Sequence, residues 1–85
     1  MPKTIFTGAH AVLVETLVEA RKRAGLTQAD LAQRIGRDQS FISLIERSQR
    51  RIDTLEFYAL AKALGVDPVS LFAEVVRRLP EKMQI

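Results

Sequence analysis

The amino-acid sequence predicts an all-α domain of five helices, in which the second and third helices form a helix-turn-helix. The first observation is the stretch TQADLAQRIGRDQSFISLIER at residues 27–47, where two helix-capping residues, Thr27 and Asp38, lie on either side of a glycine. The second is that apolar residues before and after this stretch recur at the spacing of amphipathic helices. The third is that glycine, aspartate or proline separates the apolar segments.

The first helix is expected from about Gly8 to Ala24, with Gly25 as its stop. Its buried stripe consists of apolar residues three or four positions apart: Leu13, Leu17, Ala20 and Ala24. Three valines widen this apolar face, either as core residues or as part of an interface: Val12, Val14 and Val18. His10 is the only histidine of the chain, and we expect it at the surface.

The second helix is expected to begin after Thr27, whose side chain can form a capping box with Asp30. Gly36 ends this helix in a turn that needs positive φ, and Asp38 then caps the third helix. The apolar residues of the two helices are expected to face inward: Leu31, Ala32, Ile35, Ile42 and Ile45. Because Ala32 is small, it permits the close crossing that a helix-turn-helix requires.

The fourth helix is expected at residues 54–64, with Asp53 as its cap and Glu56 as the reciprocating residue. Its inner face is expected to contain Leu55, Ala59 or Leu60, and Leu64. Gly65 ends it, since glycine is the residue most often found just after a helix.

A fifth helix is expected to begin at Asp67 and Pro68 and to run to about Arg78, before Pro80. It carries more apolar residues than one side of a terminal helix can bury in its own subunit: Val69, Leu71, Phe72, Val75, Val76 and Leu79. The sequence therefore predicts a dimer surface made of Val69, Phe72, Val76 and Leu79. The extra valines of the first helix are the second choice.

The length of 85 residues predicts a single domain over 1–85. Residues 1–7 are expected to be a flexible arm and residues 80–85 a flexible tail, although Lys3, Ile5 and Phe6 could instead pack on a partner subunit. The chain has no cysteine, no apolar run long enough to cross a bilayer and no signal-peptide pattern. A cytoplasmic protein without membrane contact and without a cofactor is therefore expected.

Positive charge is concentrated in the middle of the chain. Residues 34–51 carry five arginines against two acidic residues, whereas residues 1–33 have a net charge of +1 and residues 52–85 a net charge of −1. A solvated charged face is one explanation. A surface that binds phosphate groups is the better one, because the excess coincides with the third helix of the helix-turn-helix.

The segments ARKRAGLTQADLAQRIG, FISLIER and LEFYALAKALGVDP together resemble the Cro/repressor-type helix-turn-helix domains called the XRE family. The resemblance extends from about Leu17 to Phe72 and implies a lambda-repressor-like fold that binds DNA. It also implies a largely buried ion pair between Arg21 and Glu46. The family usually has glycine after the Glu-Arg pair, where this chain has Ser48, so the path out of the third helix is not determined by the resemblance.

Base contacts are expected from the polar outer side of the third helix, because such a helix fits the major groove of DNA. The expected base-contacting residues are Gln39, Ser40, Ser43 and Leu44. Gln39 is the best reader, since its amide can pair with adenine N6 and N7. Leu44 stands where the family more often has a long polar side chain, so it either contacts a thymine methyl group or lies at the edge of the core.

Phosphate contacts are expected from six residues around the same helix: Gln28, Arg37, Phe41, Arg47, Arg50 and Arg51. The resemblance implies that Gln28 also braces Gln39. Phe41 has two open interpretations, packing at the helix edge or contact with the sugar-phosphate backbone. Ordinary solvation is the alternative for each single arginine.

The function expected from these observations is a sequence-specific regulator of transcription, acting as a repressor of its own gene, that binds double-stranded DNA as a homodimer at a near-palindromic operator. It would lie on the nucleoid and need no small-molecule effector. The alternative is a protein-interaction module of the antitoxin or bridging type on the same fold. An enzyme is disfavoured, because the single histidine, the absence of cysteine and the lack of a phosphate-binding glycine loop provide no catalytic group.

Overall fold

The computed structural model describes residues 8–83, and all the regular structure in this range is helical. The helices are α1 (Ala9–Arg23), α2 (Gln28–Arg34), α3 (Gln39–Glu46), α4 (Thr54–Leu64) and α5 (Pro68–Arg78). The predicted class of five helices is confirmed, and each predicted boundary lies within about a residue of the observed one. The predicted arm at 1–7 and the end of the predicted tail at 84–85 lie outside the described residues.

The starts of three helices are capped as the sequence predicts. Thr27 and Asp30 form a capping box at α2, and Asp53 and Glu56 form another at α4. Asp67 accepts a hydrogen bond from the backbone N–H of Ser70 at α5. These bonds satisfy N–H groups that have no partner within the helix, and each contributes about 1 kcal/mol to stability.

The cap of α3 differs from the prediction. Asp38 has the extended backbone of a cap residue, but its side chain forms no bond to the backbone of the helix. Its carboxylate accepts a hydrogen bond from the Ser40 hydroxyl at 2.9 Å instead. The start of α3 therefore depends on tertiary packing more than on a side-chain cap.

Four helices end in the same hydrogen-bonded turn, and one of these turns lacks glycine. Positive φ is found at Gly25, Gly36 and Gly65 after α1, α2 and α4, and Ser48 has φ 58° after α3. The Ser48 N–H donates to the Ile45 carbonyl at 3.0 Å, and the Gln49 N–H donates to the Leu44 carbonyl at 2.8 Å. This pair of bonds is a Schellman motif, so α3 leaves the helical path in the usual way despite the missing glycine.

Ser48→Gly is expected to stabilise the domain. A non-glycine residue in the left-handed region costs about 1–2 kcal/mol, and part of that gain is offset because glycine is more flexible in the unfolded chain. We expect a rise in the free energy of unfolding of about 0.5–1 kcal/mol, measured by urea denaturation. Ser48→Ala is the control, since alanine keeps the Cβ atom. Equal stabilities of the two variants would contradict the assignment of strain.

The core is a single cluster to which all five helices contribute. Its most enclosed residues include Ala32, Ile42, Ile45 and Ala61, and each of these is at most 2% exposed. Ala32 lies at the packed face of α2, as predicted for a close helix crossing. α2 packs mainly on α3, while α5 closes the domain against α1 and α4. No helix among residues 8–83 is long and apolar enough to cross a membrane.

Two expectations about the core and surface, for Leu55 and His10, are corrected by the structure, and one buried polar residue, Thr16, was not predicted. Leu55 is 79% exposed and lies outside the inner face of α4, which Leu60, Ala61 and Leu64 form instead. Thr16, a polar residue, is fully buried, because its hydroxyl donates to the Val12 carbonyl at 2.8 Å. His10 is half-buried rather than at the surface. Burial and the nearby charge of Arg51 lower the pKa of its imidazole.

Of the three valines of α1, one is a core residue and two are only partly buried. Val14 is 5% exposed, whereas Val12 and Val18 are half-buried. Ala24, predicted as the last residue of the buried stripe, is exposed at the end of the helix. The buried face of α1 is therefore centred on Leu17 and Ala20.

Candidate nucleic-acid interface

α3 turns an apolar side to the core and a largely polar side to solvent. Ile42 and Ile45 are each 2% exposed, so this helix is held firmly from beneath. On the outer side, Gln39 and Ser40 are exposed and Ser43 is half-buried. Leu44 is 37% exposed, which places it with the outer residues rather than within the core. The four predicted base-contacting residues thus lie on the accessible side of one helix.

The predicted ion pair between Arg21 and Glu46 is present, and it joins α1 to the end of α3. Arg21 Nε donates to Glu46 Oε2 at 2.6 Å, and Arg21 Nη2 donates to Glu46 Oε1 at 3.0 Å. Each side chain is 11% exposed. Arg21 Nη1 also donates to the Leu26 carbonyl at 2.8 Å, so the guanidinium is fixed in the turn before α2.

Two glutamine side chains extend this ion pair to the outer surface. Gln28 Nε2 donates to Glu46 Oε1 at 2.9 Å. Gln39 Nε2 in turn donates to Gln28 Oε1 at 3.1 Å. The resemblance implied the contact between the two glutamines, whereas the bond from Gln28 to the buried carboxylate was not anticipated. Its signal in the sequence is slight, because Gln28 and Glu46 are 18 positions apart.

The ring of Phe41 is buried, and two arginines cover it. Its side chain is 4% exposed, and the guanidinium carbons of Arg37 and Arg50 lie 4.0 Å and 4.6 Å from the ring centroid. The expected phosphate contact by Phe41 is therefore wrong, and packing at the helix edge is the correct alternative. The physical reason is that Phe41 adjoins Ile42 on the inward side of α3, where guanidinium groups and core residues enclose it.

Arg50 is tied to the start of α4 by a bidentate ion pair. Its two terminal nitrogens lie 2.8 Å and 2.9 Å from the carboxylate oxygens of Glu56. Hydrogen bonds from Arg50 hold the pKa of Glu56 below its ordinary value, so this carboxyl group stays charged. The sequence predicts Glu56 only as part of the capping box. Its carboxylate serves both the cap and Arg50, and the predicted phosphate contact of Arg50 remains a prediction.

The other arginines of the basic segment differ in their surroundings. Arg34 donates to the Ala63 carbonyl at 3.0 Å and so links α2 to the end of α4. Arg37, Arg47 and Arg51 have exposed side chains near the two ends of α3. The basic segment is therefore divided between two arginines that bond to α4, Arg34 and Arg50, and three that are exposed near the ends of α3.

The predicted dimer residues of α5 form an exposed apolar strip. Val69, Phe72 and Val76 are 77%, 50% and 52% exposed, and Leu79 is half-buried. An apolar groove of about 560 Å³ adjoins the strip. Phe57 of α4 contacts Phe72 edge to face, with ring centroids 5.8 Å apart. Exposed apolar residues that lie together in this way are typical of interaction surfaces.

Residues 17–71 match the model of a helix-turn-helix family, and this segment spans α2 and α3 together with the helices that hold them. The chain belongs to the XRE family of helix-turn-helix regulators. The match covers more than half of the sequence, and this is not a family of enzymes. The resemblance noted in the sequence is thus confirmed.

Three known proteins are similar to this XRE-family chain in sequence or structure. An uncharacterised HTH-type transcriptional regulator, y4dJ, of Sinorhizobium fredii (strain NBRC 101917 / NGR234) is 41% identical over 51 residues, which cover 60% of this chain and 66% of that protein. The structure of an XRE-family like protein from Pseudomonas syringae pv. tomato str. DC3000 is 40% identical, with a TM-score of 0.78 and coverage of 85% and 88% of the two chains.

The third is the restriction-modification controller protein C.Esp1396I, whose tetramer has been solved in complex with its natural 35 base-pair operator. It is 26% identical to this chain, with a TM-score of 0.77 and coverage of 85% of this chain and 95% of that one. The similarity to the two solved structures covers 85% of this chain, whereas the match to y4dJ covers 60% of it.

Proposed function

We propose that this protein is a sequence-specific, double-stranded DNA-binding regulator of transcription that acts as a homodimer on a near-palindromic operator. The observation that carries the proposal is the accessible outer side of α3, with Gln39 bonded to Gln28 at 3.1 Å and aimed away from the core. A helix held from beneath with polar groups at its start suits the major groove. Repression of its own gene and a place on the nucleoid belong to the same proposal.

Electrostatics support the proposal. The proposed phosphate contacts are three exposed arginines near the ends of α3: Arg37, Arg47 and Arg51. Arg50 and Gln28 are further candidates. Phosphate contacts position a protein on the duplex, whereas the outer side chains of α3 read the bases. The two kinds of contact are separable by experiment, since only the first depends strongly on salt concentration.

The homodimer rests on the exposed strip of Val69, Phe72, Val76 and Leu79. Two copies joined through this strip would present two α3 helices, and a palindromic operator requires these to be about 34 Å apart. The related controller protein C.Esp1396I was solved as a tetramer on its operator, which supports assembly of this chain on DNA. No small-molecule effector enters this scheme, so protein concentration would set the occupancy of the operator.

The decisive experiment uses the purified protein alone. Duplexes are selected from a randomised library, and a footprint is made on the DNA upstream of the gene. We expect a near-palindromic sequence to be enriched in the selection and a near-palindromic site to be protected in the footprint. If the purified protein selects no sequence and protects none at low salt, the proposal is wrong.

Gln39→Ala is expected to reduce binding to the selected duplex by about 5- to 150-fold, because a bidentate glutamine–adenine pair contributes roughly 1–3 kcal/mol of discrimination. Binding to a scrambled duplex should change little. Fluorescence anisotropy on both duplexes measures the two affinities. Gln33→Ala is the control, since Gln33 is an exposed glutamine of α2 with no part in the proposed contacts. An unchanged ratio of the two affinities in Gln39→Ala would remove this residue from the set of readers.

Arg47→Ala is expected to weaken binding to selected and scrambled duplexes alike. The slope of log affinity against log salt concentration should become less steep by about 0.9 for each phosphate that the variant no longer neutralises. Arg34→Ala is the matched control, because Arg34 donates to the Ala63 carbonyl at the end of α4. Equal slopes for wild type and Arg47→Ala would contradict the phosphate contact.

A protein-interaction module of the antitoxin or bridging type is the second candidate. The apolar groove of about 560 Å³ beside the α5 strip favours it, because the same surface can hold another protein. The two candidates differ in what the purified chain does by itself. DNA binding that requires a copurified partner would favour the second.

A further inference from the structure

We propose that Glu46 is a positioning residue for base recognition, because it sets the direction in which the amide of Gln39 faces DNA. This inference rests on the proposed function and deepens it. It assigns to the buried ion pair a role beyond holding α1 to α3. The hydrogen bonds that carry this role lead outward from Glu46 through Gln28 to Gln39.

The first step is the carboxylate itself. An ionised carboxylate only accepts hydrogen bonds, and Arg21 directs two donors at the oxygens of Glu46, at 2.6 Å and 3.0 Å. With both side chains 11% exposed, the group has little freedom to turn. Glu46 Oε1 therefore presents a fixed acceptor to the side chain of Gln28.

The second step is the amide of Gln28. A primary amide has an oxygen that accepts and a nitrogen that donates, so its orientation is set when one neighbour is an obligatory acceptor. Gln28 turns its NH₂ group to Glu46 Oε1 at 2.9 Å, and its own oxygen consequently faces α3. The reversed amide would bring two oxygens into repulsive contact.

The third step is the amide of Gln39. The Gln28 oxygen accepts from Gln39 Nε2 at 3.1 Å, so one N–H of Gln39 is used within the protein. Its second N–H and its oxygen remain for DNA. This pair matches adenine, whose N7 accepts and whose N6 donates, and it does not match guanine, where N7 and O6 both accept. The direction in which the free N–H and the oxygen of Gln39 point is thus set by Glu46.

Glu46→Gln tests the inference with a side chain of the same shape. An amide at position 46 offers one acceptor oxygen where the carboxylate has two, and its NH₂ group permits the reversed orientation of Gln28. We expect the side-chain NH₂ resonances of Gln39 in ¹H–¹⁵N spectra of the free protein to move toward those of an unbonded glutamine. Glu19→Gln removes a carboxylate of α1 that is paired with Arg78, and it is the control.

The DNA arm of the experiment uses the duplex selected by the wild-type protein and variants of it at single base pairs. In Glu46→Gln, preference for adenine at the position read by Gln39 should fall about fivefold or more, while the salt dependence stays unchanged. A role in folding alone would lower the amount of active protein and leave this preference intact. An intact preference, or unmoved Gln39 resonances, would overturn the inference.

Gln28→Met is the second variant, and it keeps the test valid should Glu46→Gln fold poorly. It removes the intermediate amide and leaves the Arg21–Glu46 pair in place. We expect the Gln39 resonances to move as in Glu46→Gln, and the effects of the two substitutions to be non-additive when combined. Movement in Gln28→Met without movement in a folded Glu46→Gln would overturn the role of Glu46. Because the spectra need no DNA, failure of the proposed function is recognised separately, by the absence of any selected duplex.

Discussion

Glu46→Ala is expected to destabilise the domain by about 3–5 kcal/mol, which is the usual cost of removing one partner from a buried ion pair. The guanidinium of Arg21, whose side chain is 11% exposed in the intact protein, would lose both of its bonds to the carboxylate. The Gln28 amide would lose its acceptor as well. A chain of this length has a total stability of about 4–13 kcal/mol, so the loss is a large part of it.

The free energy of unfolding of Glu46→Ala is best measured by urea denaturation at low temperature, with the melting temperature as a second readout. Arg21→Met combined with Glu46→Met removes both charges and is expected to recover much of the loss, because apolar side chains of similar size replace the pair. Glu74→Ala breaks only ion pairs near the surface of α5 and should cost less than about 1 kcal/mol. An unchanged melting temperature in Glu46→Ala would show that the pair is not needed by the fold. The change in base preference should be the smaller effect in this variant.

Phe72→Glu is expected to produce a monomer and to reduce affinity for the selected duplex by about 100-fold or more. Linking two binding modules raises the overall affinity by roughly 10²–10⁴, and that gain disappears when the modules separate. Phe72 is 50% exposed at the centre of the α5 strip, so a carboxylate there would be buried without a partner in a dimer. Sedimentation and fluorescence anisotropy measure the two effects.

Arg77→Gln is the matched control for Phe72→Glu. It changes the net charge by the same amount on the same helix, and Arg77 is an exposed residue outside the predicted strip. The phenylalanine variant should retain its helical circular dichroism, because Leu71 and Val75 supply the buried side of α5. A dimeric Phe72→Glu with wild-type affinity would exclude this strip as the dimer surface. A half-site duplex should bind wild type and variant more equally than the full site does.

Three residues behave differently in the structure from what their local sequence pattern predicts. Asp38 has the identity of a capping residue, yet its carboxylate bonds to the Ser40 hydroxyl. Phe41 stands beside the polar residues of α3 and is nevertheless enclosed by Arg37 and Arg50. Leu55 is an apolar residue in the first turn of α4, and it is 79% exposed. For Phe41 and Leu55 the outcome depends on how the helices pack, whereas Asp38 bonds to a side chain only two positions away.

The sequence by itself determined the five helices, the glycine turns that end α1, α2 and α4, and the inward positions of Ala32, Ile42 and Ile45. Capping, glycine turns and apolar spacing act over three to seven residues, so they can be read without knowledge of the fold. Tertiary structure alone decided that Gln28 donates to Glu46 and that Arg50 pairs with Glu56. It also decided which apolar residues of α4 and α5 stay exposed. The physical reason is that side-chain bonds and burial depend on distances between helices, which the packing of the whole core sets and no local pattern encodes.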